Sequence, residues 1–185
     1  MPIKALLFSL FMLLTPLSSS ANEPARISIK TAALSQQQET HLLNARINYQ
    51  LSEEAIDALH NGITLTFNVN LSIIEPRSWL WNKHLYQTQL TYQIKYHTLS
   101  EIYKISGHHN NTQHNFASLD AALFAIGNIN ETPIHAITNS KKINGKAVLT
   151  AYLNIEALPL PMRPLAYFTP GWHLQSDPYL WPFKQ

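Results

Sequence analysis

The chain has 185 residues, with 13 Lys and Arg against 11 Asp and Glu, a formal charge of +2, and no cysteine. That length suits one domain with one core. The composition excludes disulfide bracing, a thiol-attached lipid, a cysteine nucleophile and a thiolate metal site. The cations are scattered except for Lys141, Lys142 and Lys146 around Asn144-Gly145, so nucleic acid is not an expected partner.

Lys4 precedes an apolar run, Ala5 to Leu14, interrupted only by Ser9; Thr15-Pro16 and the small residues Ser19-Ser20-Ala21 follow. This is the order of a secretory signal peptide. The run falls short of the ~20 residues that cross a bilayer. Residues 1–21 are therefore expected to be removed, and 22–185 to form a single β-sandwich domain in the periplasm or secreted. Loss of Lys4 takes the net charge from +2 to +1. No later segment is long and apolar enough to span a membrane.

Arg26 to Thr31 alternates, with Ile27 and Ile29 on one side, and the polar run Ser35 to Glu39 reads as a turn or loop. Leu43, Ala45, Ile47, Tyr49 and Leu51 then face in from a strand whose other face carries Asn44, Arg46, Asn48 and Gln50. Ser52 is a helix N-cap, followed by Glu53 and Glu54 where the helix dipole favours negative charge. Ala55, Ile56 and Leu59 make a short apolar stripe that Asn61-Gly62 ends.

The clearest element runs from Ile63 to Ile74. Ile63, Leu65, Phe67, Val69, Leu71 and Ile73 alternate with Thr64, Thr66, Asn68, Asn70 and Ser72. This predicts the central strand of an antiparallel sheet, buried on one face and wet on the other. Glu75-Pro76 ends it, and Arg77 to Trp81 forms a connection or edge. Tyr86 to Thr98 alternates again, with Leu90, Tyr92, Ile94 and Tyr96 inward, and Glu101 to Ser106 returns as its hairpin partner.

Gly107 to Asn115 reads as a polar loop, and Ser118 caps a second helix that stops at Gly127-Asn128. Pro133 demotes the strand Glu131 to Thr138 toward a sheet edge. Asn144-Gly145 is a hairpin turn signal before the alternating strand Ala147 to Ile155. Pro159, Pro161 and Pro164 predict an extended crossing segment, Gly171 to Gln175 a last strand, and Tyr179, Trp181 and Phe183 an aromatic tail. The fold class is mainly β: an antiparallel β-sandwich or strongly bent sheet of about seven strands with two short helices.

Several short motifs carry a family resemblance. They are Asp57-Ala58-Leu59 through Asn61-Gly62-Ile63, Pro76-Arg77 with a tryptophan pair, and Tyr103. Ser118-Leu119, Leu158-Pro159 with Pro161 and Arg163, and Trp172 with Ser176 complete the set. In this order, behind a secretory signal, the chain resembles the secreted proteobacterial proteins of domain-of-unknown-function family 4390. The similarity covers essentially the whole mature chain; Leu80 separates Trp79 from Trp81 where the family commonly has them adjacent. The resemblance implies a Gram-negative envelope location and brings no activity.

For chemistry, His108, His109 and His114 are the one cluster of metal-ligand composition. Adjacent histidines on an extended loop point apart and no carboxylate supports them, so a polar loop is the plainer reading and no cofactor is expected. No Gly-x-Ser-x-Gly elbow, phosphate loop or dinucleotide fingerprint occurs. Carboxylates for a hydrolase would have to come from Glu75, Glu101, Asp120, Glu131, Glu156 or Asp177, all at predicted strand ends or helix starts. The aromatics are the better lead: Arg77, Trp79, Trp81, Trp172 and Trp181 are candidates for a ligand or partner surface. Against this, tail aromatics commonly close the open end of a sandwich. The expected function is a non-enzymatic accessory or protein-interaction module of the cell envelope, with an envelope protein as partner. One alternative is a carrier holding a small apolar ligand or lipid in a cavity between the sheets, lined by Phe67, Tyr92 and Tyr96. A hydrolase with an unrecognised site is the other.

Overall fold

A computed structural model describes residues 25–38, 40–77, 82–107, 113–134 and 144–184. The expected signal segment, Trp79, Trp81, His108 and His109 lie outside the described residues. The fold is mainly β, with nine strands among the described residues in two antiparallel sheets. Strands β1 (Arg26–Gln37), β2 (Thr40–Gln50) and β7 (Asn128–Ile134) form the smaller sheet in the order β1-β2-β7. The larger sheet has the order β6-β5-β4-β3-β8-β9. It contains β3 (Leu65–Glu75), β4 (Lys83–His97), β5 (Ile102–Gly107), β6 (Gln113–Phe116), β8 (Asn144–Leu153) and β9 (Tyr179–Lys184).

The alternation in β3 does what its period requires. Leu65, Phe67, Val69, Leu71 and Ile73 are all fully buried, each worth about 1.5–3 kcal/mol on complete burial. They meet Ala147, Leu149, Ala151 and Leu153 from β8, and Leu90 and Ile94 from β4, on the inner face. Leu43, Ala45, Ile47 and Tyr49 of β2 close the core from the other sheet, with Tyr49 edge-on to Phe67 at 5.0 Å between ring centroids. Helices cover what the smaller sheet leaves open. Helix α1 (Glu53–His60) packs on β4, and α2 (Leu119–Gly127) on β2, β5 and β6. Ser52 and Ser118 cap them, each side chain accepting from a backbone N–H three residues on (Ala55 and Ala121), and Gly62 turns the chain out of α1 with φ +81°.

Five expectations need correction. Asn144-Gly145 is not a hairpin turn: both residues open β8, paired with Lys184 and Phe183 of β9. The run Ser35 to Gln37 continues β1 in register with Leu42 to Thr40, because ladder bonds to β2 satisfy its backbone; the chain reverses at Gln38, whose φ is 55°. His114 belongs to a strand, β6, that pairs with β5, so the polar stretch after Gly107 is not all loop. The proline-rich segment is not extended. It forms 3-10 turns at Ile155–Ala157 and Leu160–Met162, then α3 (Arg163–Phe168), then another 3-10 turn at Pro170–Trp172. Pro161 and Pro164 sit in the first turn of their elements, where no intrahelical N–H is needed. Consequently Gly171 to Gln175 supplies only an isolated bridge, and the last strand is the aromatic tail itself.

Pro133 does lie on an edge, since β7 is the outer strand of the smaller sheet. In β9, Tyr179, Trp181 and Phe183 stand opposite Leu149, Ala147 and Gly145 and pack on the core, with Phe183 buried beside the His41 ring. No helix among the described residues is long and apolar enough to cross a membrane.

Candidate functional site

The polar face of β3 is not uniformly wet. Thr66 and Asn68 are 5% and 2% exposed, because the chain between β8 and β9, residues 154–178, folds back as an arm over that end of the sheet. The arm is stitched down by backbone and side-chain bonds. Asn154 N–H donates to Thr66 O at 2.8 Å, Leu153 N–H to Leu174 O at 2.9 Å, and Ser176 N–H to Ala151 O at 2.8 Å. The Ser176 hydroxyl in turn accepts from Ala151 N–H at 2.9 Å. Leu158, Ala166, Trp172 and Leu174 are the buried anchors of its underside, and Arg163 Nε ties α3 back to Leu158 O at 2.8 Å.

Where arm meets sheet there is a cleft of about 580 Å³. Its floor is a hydrogen-bonded row across three strands. Thr91 Oγ1 donates to Asn68 Oδ1 at 3.1 Å, and Asn68 Nδ2 donates to Tyr152 OH at 3.1 Å. The register explains the row: Asn68 stands opposite Thr91 on one side and Tyr152 on the other, and Tyr152 bridges to Gln175 of the arm. Gln89, Asn154, Glu156, His173 and Gln175 complete the polar wall. The Tyr167 hydroxyl donates to Glu156 Oε1 at 3.0 Å, and that bond to a carboxylate holds the phenol above its ordinary range. The next rung continues the pattern with Asn70 between Gln89 and Thr150. Asn70 Oδ1 is shielded from solvent without a hydrogen-bond donor.

The outward side of the arm is apolar. Leu160, Leu165 and Phe168 are 72%, 66% and 88% exposed, although Ala166 between them is buried. A second depression, about 590 Å³, lies between α2 and the smaller sheet. Ile47, Leu123 and Phe124 give it an apolar wall, with Lys30 and Arg46 beside them.

The candidates named from sequence are dispersed. Arg77 is exposed just beyond the end of β3, Trp172 is buried under the arm, and Trp181 is half-buried on the inner face of β9. His114 is exposed on β6. Among the described residues no three His, Asp or Glu side chains are grouped so as to hold a metal ion. Phe67, Tyr92 and Tyr96 all pack into or against the core. Tyr96 rests on Tyr103 at 4.8 Å between centroids, and the Tyr103 hydroxyl is 2.8 Å from His60 Nε2, with burial raising the Tyr103 phenol. Of the carboxylates, Glu101 and Glu131 occupy left-handed backbone positions with φ 51° and 42°, Asp120 opens α2, and Glu156 reaches the cleft.

The row Thr91–Asn68–Tyr152 and the apolar arm were not singled out from sequence. The signal for the first was present in the composition of two facing strands, since Asn68, Asn70, Gln87, Gln89 and Thr91 are all uncharged outward positions. For Leu165 and Phe168 there was none, because only a helical arm turns them outward.

These features define a cysteine-free, two-sheet β protein with an arm folded onto its larger sheet and a polar cleft, rich in amides and hydroxyls, beneath it. The chain belongs to the family described as Domain of unknown function (DUF4390), whose family model matches residues 25–182. That match establishes the resemblance read from the short motifs. Neither the curated proteins nor the solved structures contain a match to this chain.

Proposed function

We propose that this protein is a non-enzymatic interaction module of the cell envelope, exported by residues 1–21 and working in the periplasm or beyond. The carrying observation is the arm: Leu160, Leu165 and Phe168 stand in solvent on a segment held in place by buried anchors on its other side. Exposed large apolar side chains grouped on an ordered scaffold mark interaction surfaces, and a pre-ordered surface loses little entropy on docking. The partner is an envelope protein presenting an apolar surface. A photo-crosslinking residue in place of Phe168 should capture one discrete protein in intact cells, while the same residue at Leu99, exposed in the β4–β5 turn, should not. Equal labelling from both positions, or none from Phe168, contradicts the reading.

The groove beside α2 favours a second reading, a carrier of a small amphipathic anion. Phe124 is 66% exposed there, in a lining that holds two cations, Lys30 and Arg46, against one carboxylate, Asp120. Native mass spectrometry of the purified protein tests it: a co-purified anionic amphiphile supports this reading, and a bare protein mass opposes it.

A further inference from the structure

The outer face of the larger sheet carries chemistry that an apolar docking arm does not use. Along β3 and β4 the outward pairs are Thr66 with Gln93, Asn68 with Thr91, Asn70 with Gln89 and Ser72 with Gln87. Tyr152 and Thr150 extend the middle two rungs onto β8. These side chains are amides and hydroxyls, each able to donate and accept. None is formally charged. The band leads directly into the cleft under the arm, where Asn154 and Gln175 add two more amides and Tyr152 and Tyr167 add aromatic rings. Among the described residues lining the cleft, Glu156 is the one acidic side chain and none is Lys or Arg.

From this arrangement we infer that the cleft and the solvent-open rungs of the band, Asn70 with Gln89 and Ser72 with Gln87, bind a neutral oligosaccharide, with the buried Thr66 and Asn68 as support beneath. A sugar presents vicinal hydroxyls, each both donor and acceptor, and a planar carboxamide meets such a pair with one N–H and one C=O. Its C–H faces lie against aromatic rings, which combine an apolar body with a polar tip. The competing ligand classes fit less well. A phosphate or acidic sugar would find no Lys or Arg in the cleft lining and would face Glu156. A lipid tail would strip water from amides without replacing their hydrogen bonds. A peptide strand seeks a sheet edge, and this is a sheet face. Two details deepen the case. Asn68 is held by bonds on both sides, so the floor is pre-ordered. The neutral row also continues one rung along, where Asn70 stands between Gln89 and Thr150.

The test is an amide-resolved NMR titration of the purified protein with maltotetraose, cellotetraose and chitotetraose, each to about 10 mM, where even millimolar affinity is visible. At least one should shift the side-chain amides of Gln89 and Gln175 together with Tyr152. Gln89→Ala and Gln175→Ala, both at exposed positions, should each weaken binding about fivefold, the equivalent of one hydrogen bond, at an unchanged melting temperature. Tyr152→Phe should weaken it by a similar factor. Phe168 crosslinking should persist in Gln89→Ala, which separates this site from the arm. Silence toward all three sugars overturns the inference. So do shifts confined to the smaller sheet, shifts indifferent to both glutamine variants, and a response to spermidine or inorganic phosphate in place of sugar.

Discussion

The outer faces of the two sheets began from the same kind of sequence pattern and ended differently. On the smaller sheet the outward positions include Arg26, Lys30 and Arg46, all exposed, with a groove against α2 at their side. On the larger sheet they are neutral amides and hydroxyls, and the arm buries one end of the row. Alternation tells which side chains point away from the core. It does not tell what, if anything, covers them. Thr66 and Asn68 look like solvent-facing residues and are as buried as the core, because a segment more than eighty positions later lies on them, tied down by the Asn154 N–H to Thr66 O bond.

The strongest way to break the comparison is to unseat the smaller sheet's helix. A Cβ on Gly127 would overlap the carbonyl oxygen of Ile47, a backbone atom that cannot step aside. Gly127→Ala should therefore cost about 3 kcal/mol in urea unfolding and open the groove near Phe124, while saccharide shifts at Gln89 persist in the folded fraction. Unseating the arm comes second. Ser176→Ala leaves the Ala151 N–H inside the fold without an acceptor, a loss of about 2 kcal/mol. It should loosen the arm and reduce Phe168 crosslinking, with the groove beside α2 unaltered.

The smallest effect is a pH dependence confined to the far end of the smaller sheet. His41 is buried against Phe183, and desolvation lowers its pKa from 6.5. The unfolded chain then binds a proton that the folded one does not, so stability is fully present above pH 6.5 and declines as pH falls below it, toward the depressed folded value. His41→Gln should flatten urea midpoints between neutral pH and mildly acidic pH. An unchanged slope would show that His41 does not govern it.

Much of the fold was legible from local chemistry. The β3 period, the Ser52 and Ser118 caps, Gly62 and the edge placement of Pro133 each follow from residues acting on their neighbours. The illegible parts depend on distant partners. β6 and β9 are strands because β5 and β8 offer them ladders. Trp172 was open to two readings, a partner surface or a structural aromatic, and only the arm's return over the sheet shows where it is buried. Proline spacing misled for a local reason: a proline forbids a helix interior and suits a helix start, and composition alone does not distinguish the two for Pro161 and Pro164.

The arm joins the polar cleft to the apolar surface, so its order is the point on which both depend. Native-state amide hydrogen exchange reads it directly. The account predicts that the amides of Leu153, Asn154 and Ser176, bonded to Leu174, Thr66 and Ala151, exchange only with global unfolding, as slowly as those of β3. Exchange of these three at the rate of open loops, while β3 stays protected, would contradict it.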